Sequence, residues 1–202
     1  ESTQYVGLTA GVREEEVQRV LNITAEINVG FINLDTANIY GNFEHILRSA
    51  ERIKKMRPNI LLSVGNICTP EVVRTLAETG ADLLKVGVGS GSACLTRSEV
   101  GIGAPQFSAV LETSAAAREC GLEVISDGGC VTSGDVCKAI GAGARFVMLG
   151  GMLAGSYECE NVVERDGKLY TNFWGLGSKK QYKLTNASEK EYRPNEGREL
   201  LV

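Results

Sequence analysis

One cysteine, Cys94, stands in a run of small and polar residues, Gly89-Ser90-Gly91-Ser92-Ala93-Cys94-Leu95-Thr96-Arg97, directly after the apolar segment Leu83–Val88. A glycine-rich loop exposes backbone that can wrap a cation with carbonyls or an anion with amides, although the same composition also makes a plain tight turn. A thiol in that setting is a candidate nucleophile. With an ordinary pKa of about 8.5 only a few per cent is thiolate at neutral pH, and nearby amides or Arg97 would raise that fraction. The competing reading is a passive loop thiol, because reactivity needs a specific microenvironment.

Three further segments offer chemistry. Glu123–Ser126 ends in Asp127-Gly128-Gly129, and Phe146–Leu149 ends in Gly150-Gly151. Successive strand ends with bare amides suit a phosphate, while close helix packing explains the same glycines without a ligand. Asp127 would repel phosphate and is expected to accept from sugar hydroxyls instead. Asp35, in Asp35-Thr36-Ala37-Asn38, is either a site carboxylate or a cap for the next helix.

The elements that must position these residues repeat one pattern. Strands are predicted at Tyr5–Thr9, Phe31–Asp35, Ile60–Val64, Leu83–Val88, Glu123–Ser126 and Phe146–Leu149, and helices at Glu14–Ile27, Phe43–Met56, Pro70–Thr79, Ser108–Cys120 and Gly134–Ile140. Strands alternating with helices of this length indicate a parallel sheet of βαβ units. A strand buried on both faces reads as a continuous apolar run, as Phe146-Val147-Met148-Leu149 does. Six such units are visible, against eight for a closed barrel, and in a barrel the site lies at the C-terminal strand ends. Val162–Phe173, with Asp166-Gly167 at its centre, reads as a hairpin. Leu176–Arg198 is polar and aperiodic, as a mobile flap would be. The whole chain, 1–202, is expected to form one domain, with 156–198 as hairpin and flap.

Composition narrows the function classes. The net charge of −4 gives no basic field for nucleic acid or an anionic membrane. No apolar run approaches the roughly 20 residues of a transmembrane helix, and no signal peptide is visible in a chain that begins at Glu1. The six cysteines form no CxxC pair, so buried, reduced thiols and a cytoplasmic setting are expected. The single histidine, His45, lies in a helical stretch and is expected to be solvated or packed, which disfavours Ser-His-Asp catalysis and multi-histidine metal sites.

Taken in order, the motifs resemble those of the IMP dehydrogenase/GMP reductase family. They are Asp35-Thr36-Ala37-Asn38, Gly65-Asn66, Lys85-Val86-Gly87 through Arg97, Gly101-Ile102-Gly103-Ala104-Pro105-Gln106, Ser126-Asp127-Gly128-Gly129, Ser133-Gly134-Asp135, Val147 through Gly155, and Tyr192-Arg193-Pro194-Asn195-Glu196-Gly197. The resemblance implies a (β/α)8 TIM barrel that begins at about the third strand and lacks the final helical region. It implies that Cys94 attacks C2 of a purine and forms a covalent thioimidate, with Thr96 and Glu196 handling protons. Ser92, Asp127, Gly128, Gly129, Gly150, Gly151, Gly175, Gly177, Arg193 and Gly197 would hold the nucleotide. Asp35, Thr36, Ala37, Gly89 and Leu176 would line the NADPH side, and Gly89, Gly91, Cys94 and Arg97 a potassium site. The usual Met-Ser after the hairpin is Leu176-Gly177 here, which removes a thioether and a hydroxyl, and a position often held by Pro is Ser90.

Three functions remain open on this basis. The leading one is NADPH-dependent reductive deamination of GMP to IMP and ammonia by a homotetramer. The short stretch between Ser178 and Glu196, whose Lys179, Lys180 and Tyr182 form no obvious arginine–tyrosine pair, favours it. The second is NAD-dependent oxidation of IMP to XMP, which needs a water activator. The third is a catalytically silent nucleotide-binding homologue.

Overall fold

The computed structural model describes residues 6–184 and 195–202. Six strands, β1 (Gly7–Ala10), β2 (Phe31–Asp35), β3 (Leu61–Ile67), β4 (Leu83–Val86), β5 (Glu123–Asp127) and β6 (Phe146–Met148), form one sheet in the order of the chain. Every neighbouring pair is parallel. A sheet that never reverses its strand order is the wall of a (β/α) barrel, whereas a doubly wound sheet switches direction midway. The crossovers are α1 (Glu14–Glu26), α2 (Phe43–Met56), a 3₁₀ turn at Pro70–Val72 running into α3 (Val73–Glu78), the short α4 (Thr96–Glu99) followed by α5 (Gln106–Glu119), and α6 (Ser133–Gly141).

Strand alternation sorts the side chains. Ile32 and Leu34 of β2, Leu62 and Val64 of β3, and Leu84 and Val86 of β4 are fully buried in a core shared with Val17 of α1, Ile46 and Ile53 of α2 and Leu76 of α3. In α2 the buried residues Ile46, Ala50 and Ile53 recur at intervals of three and four, the stripe by which a helix packs on a sheet. The alternate strand positions carry the polar set: Asn33 and Asp35, Ser63, Lys85, and Asp127. Period-two alternation therefore delivers Asp35, Lys85 and Asp127 to the end of the sheet where the loops lead off.

A second sheet holds the hairpin β7 (Val162–Arg165) and β8 (Lys168–Trp174), with β9 (Glu199–Leu201) antiparallel to β8. Asp166 and Gly167 both have positive φ, 52° and 71°, the conformation of a two-residue type I′ turn.

Several sequence expectations change. Phe146 and Met148 are exposed rather than buried on both faces, because among the described residues β6 is an edge strand paired with β5 alone. Leu176–Arg198 is not simply a loop: Lys179–Leu184 forms α7, and Glu199–Leu201 returns to the hairpin. The six cysteines are free, but only Cys68 is buried, while Cys137 is exposed and the rest are intermediate. Tyr5, at the start of the first predicted strand, lies outside the described residues, as does the segment 185–194. His45 is exposed on α2.

Candidate active site

The loop from Gly87 to Leu95 turns back over the C-terminal end of β4 and runs into α4, whose first residue is Thr96. Close approach forces its glycines. A side chain on Gly89 (φ +68°) would collide with Arg97, and one on Gly128 (φ +81°) would sit 2.7 Å from the Gly91 amide nitrogen. Arg97 ties the loop down, with Nε donating to the Val88 carbonyl at 2.9 Å and the guanidinium also donating to Ala104. A cation already bonded to carbonyls cannot ligate potassium through its side chain, so the Arg97 guanidinium is a clamp of the loop rather than part of an ion site. The Arg97 carbonyl accepts from the Gly101 amide.

Cys94 is half-buried, with its thiol 3.3 Å from the Thr96 hydroxyl. Thr96 is fully buried and its hydroxyl donates to Glu196 Oε2 at 2.5 Å. Because the Thr96 proton points at the carboxylate, its oxygen is left to accept from the thiol. Glu196 is a hundred residues away in sequence and reaches the site because the chain beyond the flap pairs with the cysteine loop. Cys94 and Gly197 form an antiparallel bridge. The Leu95 amide donates to the Glu196 carbonyl at 2.7 Å, the Arg198 amide to Ala93 at 2.9 Å, and Arg198 Nε to the Ser92 carbonyl at 2.7 Å.

The glycines of the flap serve this docking. A side chain on Gly175 would lie 2.8 Å from the Ala93 carbonyl, one on Gly197 2.8 Å from the Ser178 amide, and one on Gly177 3.3 Å from Glu196 Cβ. Gly175 and Gly197, expected at the nucleotide, thus lie closely packed against the loop and the flap. Leu176 between them is 71% exposed. The helix α7 leans on the hairpin: Lys180 lies over the Trp174 ring, 4.6 Å from its centroid, and the Trp174 indole donates to Gln181. Arg193, with Tyr192 and Pro194 of the same motif, lies outside the described residues.

The strand-end glycines converge on the same loop. Gly128 and Gly129, both at φ +81°, follow Asp127, whose backbone carbonyl accepts from Ser90 Oγ at 2.7 Å. Gly150 and Gly151 lie in the turn after β6, where the Gly150 carbonyl accepts from Leu153 and Ala154. A side chain on Gly151 would stand 3.2 Å from Ser92 Oγ. Ser92, Gly128, Gly129, Gly150 and Gly151 therefore gather around one end of the Cys94 loop. A cavity of about 350 Å³ opens beside Gly150, between Leu153, Cys159 and the hairpin residues Phe173 and Trp174.

On the other side of the loop, Lys85 links two carboxylates. Its ammonium lies 2.8 Å from Asp127 Oδ2 and 3.0 Å from Asp35 Oδ1, and the residue is 4% exposed. Burial pushes the Lys85 ammonium down, but Asp127 and Asp35 outweigh it and hold its pKa above the ordinary value. Burial raises the Asp35 carboxyl against the opposing pull of Lys85, with Asp127 adding to the rise. Asn66 donates to the same Asp127 oxygen at 2.8 Å and to the Gly87 carbonyl at 2.5 Å. Thr36, expected at the cofactor, turns its amide and hydroxyl to the Gly65 carbonyl, and Ala37 is exposed beside it. Lys85 and Asn66 had no role from sequence. The legible signal was a lone charge in the run Leu83-Leu84-Lys85-Val86.

Among the described residues no group of three His, Cys, Asp or Glu side chains could hold a metal ion, and no helix is long and apolar enough to cross a membrane. The carbonyls of Gly89, Gly91 and Cys94 are neutral oxygens, the chemistry that suits a large monovalent ion. The Gly91 carbonyl also accepts the Cys94 amide at 3.0 Å, which leaves one lone pair for an ion.

Comparison with known proteins places this geometry. The family model for the IMP dehydrogenase/GMP reductase domain matches residues 1–202. A GMP reductase of Shewanella pealeana is 39% identical over 204 residues, covering 100% of this chain and 58% of that protein. Mouse GMP reductase 1 is 41% identical, with 100% and 59% covered, and human GMP reductase 2 is 43% identical, with 98% and 57% covered. The chain thus spans a little under three fifths of the length of these relatives. The crystal structure of the C318A variant of Trypanosoma brucei GMP reductase with guanosine 5′-monophosphate superposes with a TM-score of 0.90 at 35% identity, over 98% of this chain and 41% of that one. With its sequential parallel wall, its cysteine loop and a family match along its whole length, this chain belongs to the IMP dehydrogenase/GMP reductase family.

Proposed function

We propose that this chain carries the catalytic centre of an NADPH-dependent reductive deamination of GMP to IMP and ammonia. The observation that carries the reading is the line from the Cys94 thiol through the Thr96 hydroxyl to the Glu196 carboxylate. Such a line can do two things in turn. It takes the thiol proton to Glu196 through Thr96, leaving a thiolate to add to C2 of the purine. It then returns a proton to the C2 amine, which departs as ammonia and leaves C2 bound to Cys94 as a thioimidate. NADPH, when bound, supplies the hydride that C2 accepts as the Cys94 sulfur leaves, and IMP results. The docked flap covers the cysteine loop and excludes water while C2 is bound to sulfur.

Ser92 and the amides of Gly128, Gly129, Gly150 and Gly151 would hold phosphate and base, and Asp127 the ribose. Gly177, Gly197 and Arg193 would complete the nucleotide side. Asp35, Thr36, Ala37, Gly89 and Leu176 would line the nicotinamide side, where the half-buried Asp35 carboxylate suits a carboxamide. The carbonyls of Gly89, Gly91 and Cys94 would contribute to a potassium site. Assembly as a homotetramer and a cytoplasmic setting complete the reading, the latter supported by free thiols.

Oxidation of IMP to XMP uses the same adduct but needs a held, deprotonated water. Lys180, a flap cation, is engaged with the Trp174 ring and lies 3.4 Å from Glu199, which favours the reductase. The natural full-length protein is expected to consume NADPH and release ammonia when given GMP. Accumulation of XMP from IMP and NAD would reverse the assignment, and turnover of neither pair would mark a silent homologue.

A further inference from the structure

Lys85 lies on β4, between Asp35 on β2 and Asp127 on β5, and the three side chains meet inside the wall where the two halves of the candidate site adjoin. We infer that Lys85 is a positioning residue that aims Asp127 at the nucleotide ribose and couples it to Asp35 on the cofactor side. The inference rests on the reading of Asp127 as the ribose partner.

Four observations carry it. Lys85 is 4% exposed, so water does little to satisfy its ammonium and the carboxylates must. Lys85 and Asn66 both donate to Asp127 Oδ2, which fixes the carboxyl plane and leaves Oδ1 to accept from a vicinal diol. Gly65 lets β3 lie close against the base of the lysine, because a side chain there would stand 2.6 Å from Lys85 Cβ and 2.7 Å from its carbonyl. The third partner, Asp35, takes a second ammonium proton at 3.0 Å, so the charges sum to one negative rather than two. The groups around the ammonium are Asp35 from β2, Asp127 from β5 and the neutral Asn66 from β3. Without the ammonium, two carboxylates would share one low-dielectric corner, and of such a pair one binds a proton more readily than an isolated carboxylate does.

The measurement is equilibrium binding of GMP and of 2′,3′-dideoxyguanosine monophosphate to the natural full-length enzyme and its variants between pH 5.5 and 9. The unsubstituted enzyme is expected to prefer GMP at least tenfold, with little change over that range. In Lys85→Met the preference should fall below about threefold and should itself become pH-dependent, the 5′-phosphate common to both nucleotides cancelling in the ratio. Lys85→Arg keeps the charge and should retain most of the preference. A Lys85→Met enzyme with undiminished preference and a flat pH profile would overturn the inference, as would equal loss in the arginine variant. If neither lysine variant folds, Asp35→Asn decides. The ammonium then serves Asp127 alone, so the ribose preference must hold or rise, and its collapse would count against Lys85 as the aiming group. Failure of the parent reading looks different: the unsubstituted enzyme would not turn over GMP, or would bind it with no ribose preference.

Discussion

At the scale of the residue, the distinctive feature is a line of contacts from thiol to hydroxyl to carboxylate, which the proposed function uses as a proton path. The Thr96 hydroxyl is buried and hydrogen-bonded on both sides, to Cys94 at 3.3 Å and to Glu196 at 2.5 Å. Replacing it by the isosteric valine keeps the shape and breaks the path. Thr96→Val is expected to lower kcat by about 10²–10⁴-fold, the usual worth of a positioned acid–base group. Cys94→Ala should abolish turnover and leave GMP binding nearly intact, since a lost covalent step acts on the transition state. Single-turnover kinetics with GMP and NADPH, set beside GMP binding by calorimetry, separates the two, and a Thr96→Val enzyme with unchanged kcat would remove Thr96 from the path. Cys94 was legible in the sequence from its polar loop. The Thr96–Glu196 contact was not, because no local pattern shows that residues so far apart share a hydrogen bond. Lys85 was partly legible as a charge inside an apolar strand, but its partners stand on two other strands. The sequence did not show that the Arg97 guanidinium holds the loop through the Val88 and Ala104 carbonyls, because both partners are set by the fold of the loop.

At the scale of the element, the flap is held by backbone pairing more than by side chains. Between Ala93 and Arg198 the cysteine loop and the returning chain exchange two main-chain bonds, which form the Cys94–Gly197 bridge, and one from the Arg198 guanidinium. Gly175 lets them approach, since any Cβ there meets the Ala93 carbonyl at 2.8 Å, and that backbone cannot move without moving Cys94. Gly175→Val is therefore expected to undock the flap, raise the rate of limited proteolysis within it, and cut turnover at least tenfold while GMP still binds. Unchanged cleavage and unchanged turnover would mean that the flap docks without this contact. Periodicity revealed α1, α2, α5 and α6 to within a few residues, and Asp166-Gly167 marked the hairpin turn, because these signals are local. It did not reveal α4, α7 or β9. Each is short, and each forms because tertiary contacts hold it: α4 under the flap, α7 against Trp174, β9 along β8.

At the scale of the molecule, the six-stranded wall has two edges. β1 and β6 each pair on one side, and β6 presents Phe146 and Met148 with 52% and 39% of their surfaces exposed. Parallel strands are stable when both faces are covered, and a barrel removes its edges by closing. The relatives are longer than this chain and share its family, so further strands are expected to close against β1 and β6 in the natural protein. That expectation is testable at one residue. If β6 is covered, Phe146→Asp places a carboxylate in an apolar interior and removes a buried ring, two effects that each cost a few kcal/mol, so a loss of about 3 kcal/mol or more is expected. If β6 stays open to water, the same change lies within about 0.5 kcal/mol and improves solubility, as a charge on an exposed edge does. Chemical denaturation of the natural protein and of Phe146→Asp, followed by intrinsic fluorescence, distinguishes the two through the midpoint at constant slope. A large fall in the midpoint supports a closed barrel around Cys94. An unchanged midpoint would mean an open wall, and with it a nucleotide site reached by water from the side, where a thioimidate would hydrolyse before C2 could be reduced.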